Sequence, residues 1–472
     1  MLFTNNPLYD FFCVCVALLA LFVTYCKWSF SYWKRKGLEG LEPSIPFGDT
    51  RDALLGRKTF MATWVEIYNN LKSKGLRYGG IYFGLKPVYM PIDLNLVKSI
   101  LTTHFNSFTA HRLYVDEEVD PLMGNILYLS GSRWRNVRLS RYNSFLGCCC
   151  FGIDLTATKT WEADFFLNCP KKDTFRNILL DLIIPHPILH FCKYNSFDPE
   201  FSVAFNSLVE KSVIYRKEKN VEINDFLQLL LRQFSNTDTL GSPRQSKTAG
   251  SKTSNDKSVI RDVAAQSVAL FVGGSETLAH SLAQAVYELA LATEIQNRAR
   301  REVIRVLEEN ENKFTNDTIT NMTYLDQIVS ETLRKHPAGD NVIRVCEKAY
   351  KIPDTDIELD IGTMVVVPIR GIHYDPSYYP DPEVFDPERF NENNRAQIPP
   401  GAWIPFGDGP RNCIGLFCMR LALIIMKITL ATILKNFEIS LNKRTVTPLK
   451  LYNRGLAATC EGGIWVDIKN IN

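Results

Sequence analysis

Ten residues near the C-terminus, Phe406-Gly-Asp-Gly-Pro-Arg-Asn-Cys-Ile-Gly415, constrain this chain more than any other stretch. Gly407 and Gly409 make a loop free of side-chain crowding, and Pro410 then restricts the backbone. An apolar run of helical length, Ile414 to Phe437, follows at once and predicts Cys413 at or near a helix N-terminus. Unpaired N–H groups and the helix dipole favour a thiolate there, and Arg411 adds positive charge two residues away. A cysteine so placed is a nucleophile, a metal ligand, or an accident of packing.

The rest of the 472 residues has the composition of an ordinary globular protein, 46% apolar and 22% charged, with ample material for a core. A net charge of +3 excludes the large basic stripe of a nucleic-acid-binding protein. The 12 cysteines include three in a row, Cys148 to Cys150, and form no Cys-x-x-Cys pair, which predicts reduced thiols facing the cytosol. Phe11 to Cys26 is uncharged and falls slightly short of the roughly 20 residues a membrane span needs. Lys27 can snorkel, and the aromatic belt of Trp28, Phe30, Tyr32 and Trp33 extends the segment. Lys34, Arg35 and Lys36 follow the run and no Lys or Arg precedes it, so residues 1–33 read as an uncleaved anchor with its N-terminus in the lumen. A buried hairpin of the globular core is the alternative.

Pro43 and Pro46 make 37–48 a stiff linker. Strand signals follow at 80–83 and 88–92 with Lys86-Pro87 as the turn, and Asp93 is placed to cap a helix over 94–101. His186 and His190 have the spacing of a helical metal pair, but Pro185 and Pro187 argue against a helix there, so the pair reads as structural. Amphipathic helices are predicted over 201–233, a solvated loop over 235–255, and a long helix over 259–291. That helix contains Gly273 and Gly274, which cost about 1 kcal/mol each relative to Ala, so something must compensate.

The ten-residue stretch resembles the haem-binding loop of the cytochrome P-450 family, Phe-x-x-Gly-x-Arg-x-Cys-x-Gly, matching at Phe406, Gly409, Arg411, Cys413 and Gly415. Further likenesses cover most of the chain from the linker onward. Gly273-Gly274-Ser275-Glu276-Thr277 resembles the family's central-helix motif, in which small residues leave a groove for dioxygen while an acid and a hydroxyl deliver protons. Trp134 and Arg138, four apart, resemble its Trp-x-x-x-Arg pair on a haem propionate, and Arg344 matches another propionate arginine. Glu331, Arg334 and Arg389 resemble its buried structural ionic cluster; 363–368 resembles the sheet lining the pocket, and 107–129 the segment covering it.

The resemblance implies a mainly α fold with small β-sheets, the cytochrome P-450 fold, as a haem-thiolate catalytic domain over 34–472. It implies haem b as cofactor with Cys413 as the iron ligand, and Trp134, Arg138, Arg344 and Arg411 on the propionates. Phe406 would shield the ring and sulfur, while Glu276 and Thr277 relay protons. The reaction implied is insertion of one oxygen atom from O2 into a lipophilic substrate. Electrons would come from the NADPH-cytochrome reductase, with cytochrome b5 as a second partner, at the endoplasmic reticulum membrane. The stretch from Gly371-Ile372-His373-Tyr374-Asp375-Pro376 through Phe390 is most similar to the microsomal insect branch that oxidises xenobiotics. After Arg141 the chain departs from the family: Tyr142 to Cys150 stands where several tens of residues are expected before Phe151-Gly152-Ile153, and 156–170 matches poorly. Two other classes therefore stand beside the monooxygenase. One is a non-catalytic, degraded family member; the other is a haem-thiolate isomerase or dehydratase, which could dispense with Glu276-Thr277.

Overall fold

The computed structural model describes residues 7–111, 116–142, 184, 186–195, 197–223, 225–235, 252–413, 415–453 and 458–471. The short region after Arg141 and the Phe151-Gly152-Ile153 likeness lie outside the described residues, apart from Tyr142. The chain divides into two compact units. The first comprises residues 1–108, 340–380 and 399–404; the second comprises 109–339, 381–398 and 405–472.

The first unit opens with helix α1, Pro7–Ser29. The apolar span Leu8–Ser29 is 22 residues long; its most apolar 18-residue stretch has a mean hydropathy of 2.1 with none of it buried, and Cys26 near the end of the span is buried. At about 1.5 Å per residue this length covers a hydrocarbon core of roughly 30 Å, and it is the one such helix among the described residues. The aromatic belt behaves differently from expectation. Trp28 is exposed, but Trp33 is buried, its ring nitrogen donating to the Ile81 carbonyl at 3.0 Å. Its neighbour across the interface is Gly80, where a side chain would collide with the indole. Gly40 and Gly48 likewise bridge to strand β1 (Tyr78–Phe83), so the predicted linker is packed along a sheet edge.

Strand β1 forms a hairpin with β2 (Lys86–Pro91) in which Pro87 faces Tyr82. The turn is therefore Gly84-Leu85, not Lys86-Pro87: Gly84 sits at φ +54°, the positive φ that a two-residue hairpin connection demands. The four-stranded sheet runs β1-β2-β4-β3, with β3 spanning Val342–Val345 and β4 Met364–Val367. Strand β4 is parallel to β2, antiparallel to β3 and buried throughout, as an all-apolar Met-Val-Val-Val strand should be. Helix α2 (Phe60–Ser73) stacks Phe60 and Trp64 on Phe83 of β1. Asp93 caps α3 (Leu94–Lys98) as expected, accepting from the Asn95 and Leu96 amides.

The second unit is helical. Helix α4 spans Gly131–Tyr142, α5 His186–Phe191, α6 Pro199–Lys219 and α7 Phe226–Ser235. The long α8 runs Lys252–Leu291, followed by α9 (Thr293–Glu308), α10 (Thr323–Lys335) and α11 (Gly415–Asn436). Two expectations need correction here. Helix α8 starts seven residues earlier than its apolar pattern does, because Lys252 to Ser258 contains no helix breaker and simply extends the first turns. His186 to Phe191 is helical after all, since Pro187 falls in the first turn, where no intrahelical donor is lost. His190 nonetheless serves structure, pairing with Asp116 at 2.6 Å.

Two apolar cores share α8. Its N-terminal half packs with α6, α7 and Leu122, and its last member in that cluster is Phe271. Its C-terminal half packs with α9, α10 and α11, beginning at Leu278. The interval between them holds Gly273, Gly274, Glu276 and Thr277. These small and polar residues thus fall where neither core claims the helix.

Candidate haem-thiolate site

Loop 406–413 is shaped by its glycines: Gly407 and Gly409 adopt φ +72° and +74°, a region L side chains rarely occupy. The turn closes when the Cys413 amide donates to the Phe406 carbonyl at 2.8 Å. Cys413 then stands exposed two residues before α11, as its sequence context predicts. Phe406 itself is half-buried against the C-terminal core of α8.

The structure brings Trp134, Arg138 and Arg411 to this loop. Arg138 on α4 donates to the Asn412 carbonyl at 3.2 Å and to its side-chain oxygen at 2.8 Å. Arg411 is 6% exposed and its guanidinium lies over the Trp134 ring, 4.9 Å from the centroid. Its hydrogen bonds include the carbonyls of Thr109, Leu127 (3.2 Å) and Leu129 (2.7 Å). The sequence context of Arg411 points to an anion and gives no sign of the three carbonyls, because nothing local marks partners some 300 residues earlier.

Glu276 and Thr277 lie half-buried on α8, and the Thr277 hydroxyl donates to the Gly273 carbonyl one turn back at 2.7 Å. A Cβ added to Gly273 or Gly274 would meet nothing within 4 Å. Arg344 belongs to the first unit, on β3, where burial holds its guanidinium down at about 10. The ionic cluster forms as expected: Arg334 forks onto Glu331 at 2.6 and 2.8 Å, and Arg389 reaches the same carboxylate at 3.5 Å. Arg334 and Glu331 are wholly buried, and the Asp386 amide adds a bond of 3.0 Å that ties the 381–398 segment to α10.

Among the described residues no cluster of His, Cys, Asp and Glu could hold a bare metal ion. A planar anionic macrocycle held through sulfur asks for different things: an accessible thiol, cations beside it, and a wall without side chains. Cys413 is accessible, Arg411 stands on its loop and Arg138 bonds to that loop from α4, and Gly273 and Gly274 leave open space. The donor set fits haem. A single thiol on a glycine-shaped loop and a long helix that carries a Gly-Gly…Glu-Thr stretch between two cores define a haem-thiolate protein.

Comparison with known proteins leads to the same class. The cytochrome P450 family model matches residues 144–463. The curated relatives include cytochrome P450 6A1 of Musca domestica, 30% identical over 97% of this chain and 96% of that protein. Probable cytochrome P450 6a13 of Drosophila melanogaster and cytochrome P450 9e2 of Blattella germanica are each 29% identical over 94% of the chain, covering 96% and 94% of those proteins. The chain belongs to the cytochrome P450 family, in its insect branch, whose members are haem-thiolate monooxygenases. The Musca domestica alignment runs over 520 positions against 472 residues here, so that relative carries segments this chain lacks.

Proposed function

We propose that this protein is a microsomal monooxygenase that inserts one oxygen atom from O2 into lipophilic substrates of the xenobiotic class. The observation that carries the proposal is Cys413, exposed on its glycine-shaped loop ahead of α11 while α8 leaves Gly273 to Thr277 outside both cores. Helix α1 acts as the membrane anchor, ending at Ser29 and not at residue 33 because Trp33 packs over Gly80, and the chain from residue 34 acts as the haem-thiolate domain, on the cytosolic face of the endoplasmic reticulum. Electrons come from the NADPH-cytochrome reductase, with cytochrome b5 as an auxiliary donor.

In this reading Cys413 would hold the iron, Phe406 would shield the ring and sulfur, and Trp134, Arg138, Arg344 and Arg411 would neutralise the propionates. When bound, thiolate-ligated haem supplies oxygen activation, because the electron-rich sulfur favours O–O cleavage. The protein's part is to exclude water, hold the substrate and move protons. Glu276 can exchange a proton with solvent from its half-buried position. The Thr277 hydroxyl, bonded to the Gly273 carbonyl, can rotate to pass a proton toward the open side of the helix. This pair also sets the monooxygenase above a haem-thiolate isomerase or dehydratase, which needs no such relay.

One observation favours a second reading. Because relatives carry segments absent here, a chain shortened after Arg141 is also compatible with a family member that no longer catalyses. The carbon-monoxide difference spectrum of the reduced, membrane-expressed protein decides. The red-shifted thiolate band is expected for the wild type, lost in Cys413→Ala and kept in Thr277→Ala, which uncouples oxygen consumption from product. Absence of the band from wild type supplied with haem refutes the active reading. Its survival in Cys413→Ala refutes the ligand assignment.

A further inference from the structure

Gln266 is a polar residue in an apolar stretch of α8, and it is 2% exposed. Both ends of its amide bond one piece of chain: Nε2 donates to the Gly124 carbonyl at 2.8 Å, and Oε1 accepts from the Ile126 amide at 3.1 Å. The same piece is held from its other end by Arg411, through the carbonyls of Leu127 and Leu129. Asn125, fully buried, stiffens what lies between, donating to the Leu122 carbonyl at 2.7 Å and accepting from the Leu127 amide at 2.9 Å. Residues 122–129 are therefore strung between two side chains. One stands seven residues, two helical turns, ahead of Gly273, and the other two residues ahead of Cys413.

We infer that Gln266 is a positioning residue for the oxidation reaction. Together with Arg411 it holds segment 122–129 as a brace that sets the span between Gly273–Thr277 of α8 and the Cys413 loop. The inference rests on the haem-thiolate reading of Cys413. Its physical basis is the cost of the alternative. A buried amide that loses either partner leaves an unsatisfied donor or acceptor on both sides, so the segment has one favoured register on α8. Neither bond touches the sulfur or the Gly273–Thr277 interval. Removing them changes the width of the space between those elements without changing the groups that line it.

The test uses full-length, haem-replete protein in membranes. Gln266→Met keeps the side-chain volume and loses both bonds; Gln266→Glu keeps the acceptor for Ile126 and loses the donor. Ligand-binding spectra with imidazole and with 4-phenylimidazole report how strictly the space discriminates by size. Hydrogen exchange of peptides covering 120–130 reports the brace itself. In Gln266→Met, the affinity ratio of the two azoles is expected to move about tenfold, the equivalent of the two bonds, with faster exchange in 120–130 and an unchanged carbon-monoxide band. Gln266→Glu should fall between wild type and Gln266→Met. An unaltered azole ratio in Gln266→Met, with the band intact, overturns the inference while leaving the Cys413 assignment standing. Loss of haem uptake by both variants, with α8 still protected from exchange, overturns it too, since Gln266 would then serve assembly rather than spacing. Absence of the band in wild type defeats the underlying reading instead.

Discussion

Gly273 and Gly274 give opposite expectations depending on whether protein or haem requires them. Both lie in helical backbone, outside the positive-φ glycines. A Cβ at either meets no atom within 4 Å. Changing each to Ala removes a helix-propensity penalty of about 1 kcal/mol and introduces no clash. Over a cooperative unit of some 300 residues that is a gain in Tm on the order of 1–2 °C per substitution. Gly371 is the control. Its Cβ would stand 2.7 Å from Tyr68 Cγ, and Tyr68 cannot retreat because it is fully buried and its hydroxyl is bonded to Asp375 at 2.7 Å. Gly371→Ala should therefore destabilise by roughly 1–3 kcal/mol or more. Scanning calorimetry of haem-depleted and haem-replete protein separates the cases. Gly273→Ala and Gly274→Ala should stabilise the depleted form and weaken ligand binding in the replete one. If either lowers the stability of the depleted form by as much as Gly371→Ala does, the protein itself needs the glycine, and the open groove on α8 is not a functional feature.

Three further outcomes are expected. Glu331→Ala leaves Arg334 buried without its carboxylate and should cost about 3–5 kcal/mol, read as collapse of holoprotein yield; near-normal yield would show that the cluster is not needed for shape. Burial, partly offset by Arg370, raises the Asp340 carboxyl from 3.8 to about 6. The folded state therefore holds this proton more tightly than the unfolded chain. Stability should fall by up to about 3 kcal/mol as pH rises from about 4 to 6 and stay level above, a trend Asp340→Asn should abolish in thermal denaturation; parallel curves for the two proteins would refute it. Asn316-Asp317-Thr318 and Asn321-Met322-Thr323 are glycosylation sequons with exposed asparagines, and a cytosolic catalytic domain leaves them unmodified. A mobility shift on deglycosylation of microsomes would reverse the proposed topology.

Much of the site was legible because its determinants are local. Loop 406–415 carries its own turn chemistry in Gly407, Gly409 and Pro410, and the apolar run behind it became α11 with its start one residue from expectation. The Gly273-Gly274 anomaly announced itself as a cost within a helix. Strands β2 and β4 and the Asp93 cap were likewise written in short-range pattern. Two helix boundaries differ from expectation for local reasons. Pro187 has the look of a breaker but is harmless in the first turn of α5, and Lys252 to Asn255 are polar enough to suggest loop yet belong to α8. Polarity says which residues avoid a core, not whether a backbone can keep its helical hydrogen bonds.

By itself, the order of residues determined which side chains could carry chemistry: one thiol at a helix entrance, an acid and a hydroxyl beside two glycines, an apolar N-terminal run. Tertiary structure alone decided what those groups touch. Trp33 left the aromatic belt for the space over Gly80, Arg411 turned to three carbonyls in 109–129, and Gln266, unremarked in the sequence, grips the same segment from α8. The reason is range. Helices, turns and caps are settled between residues a few positions apart, whereas a buried amide or guanidinium takes whichever partners the folded chain delivers, and those lie 140 to 302 positions away.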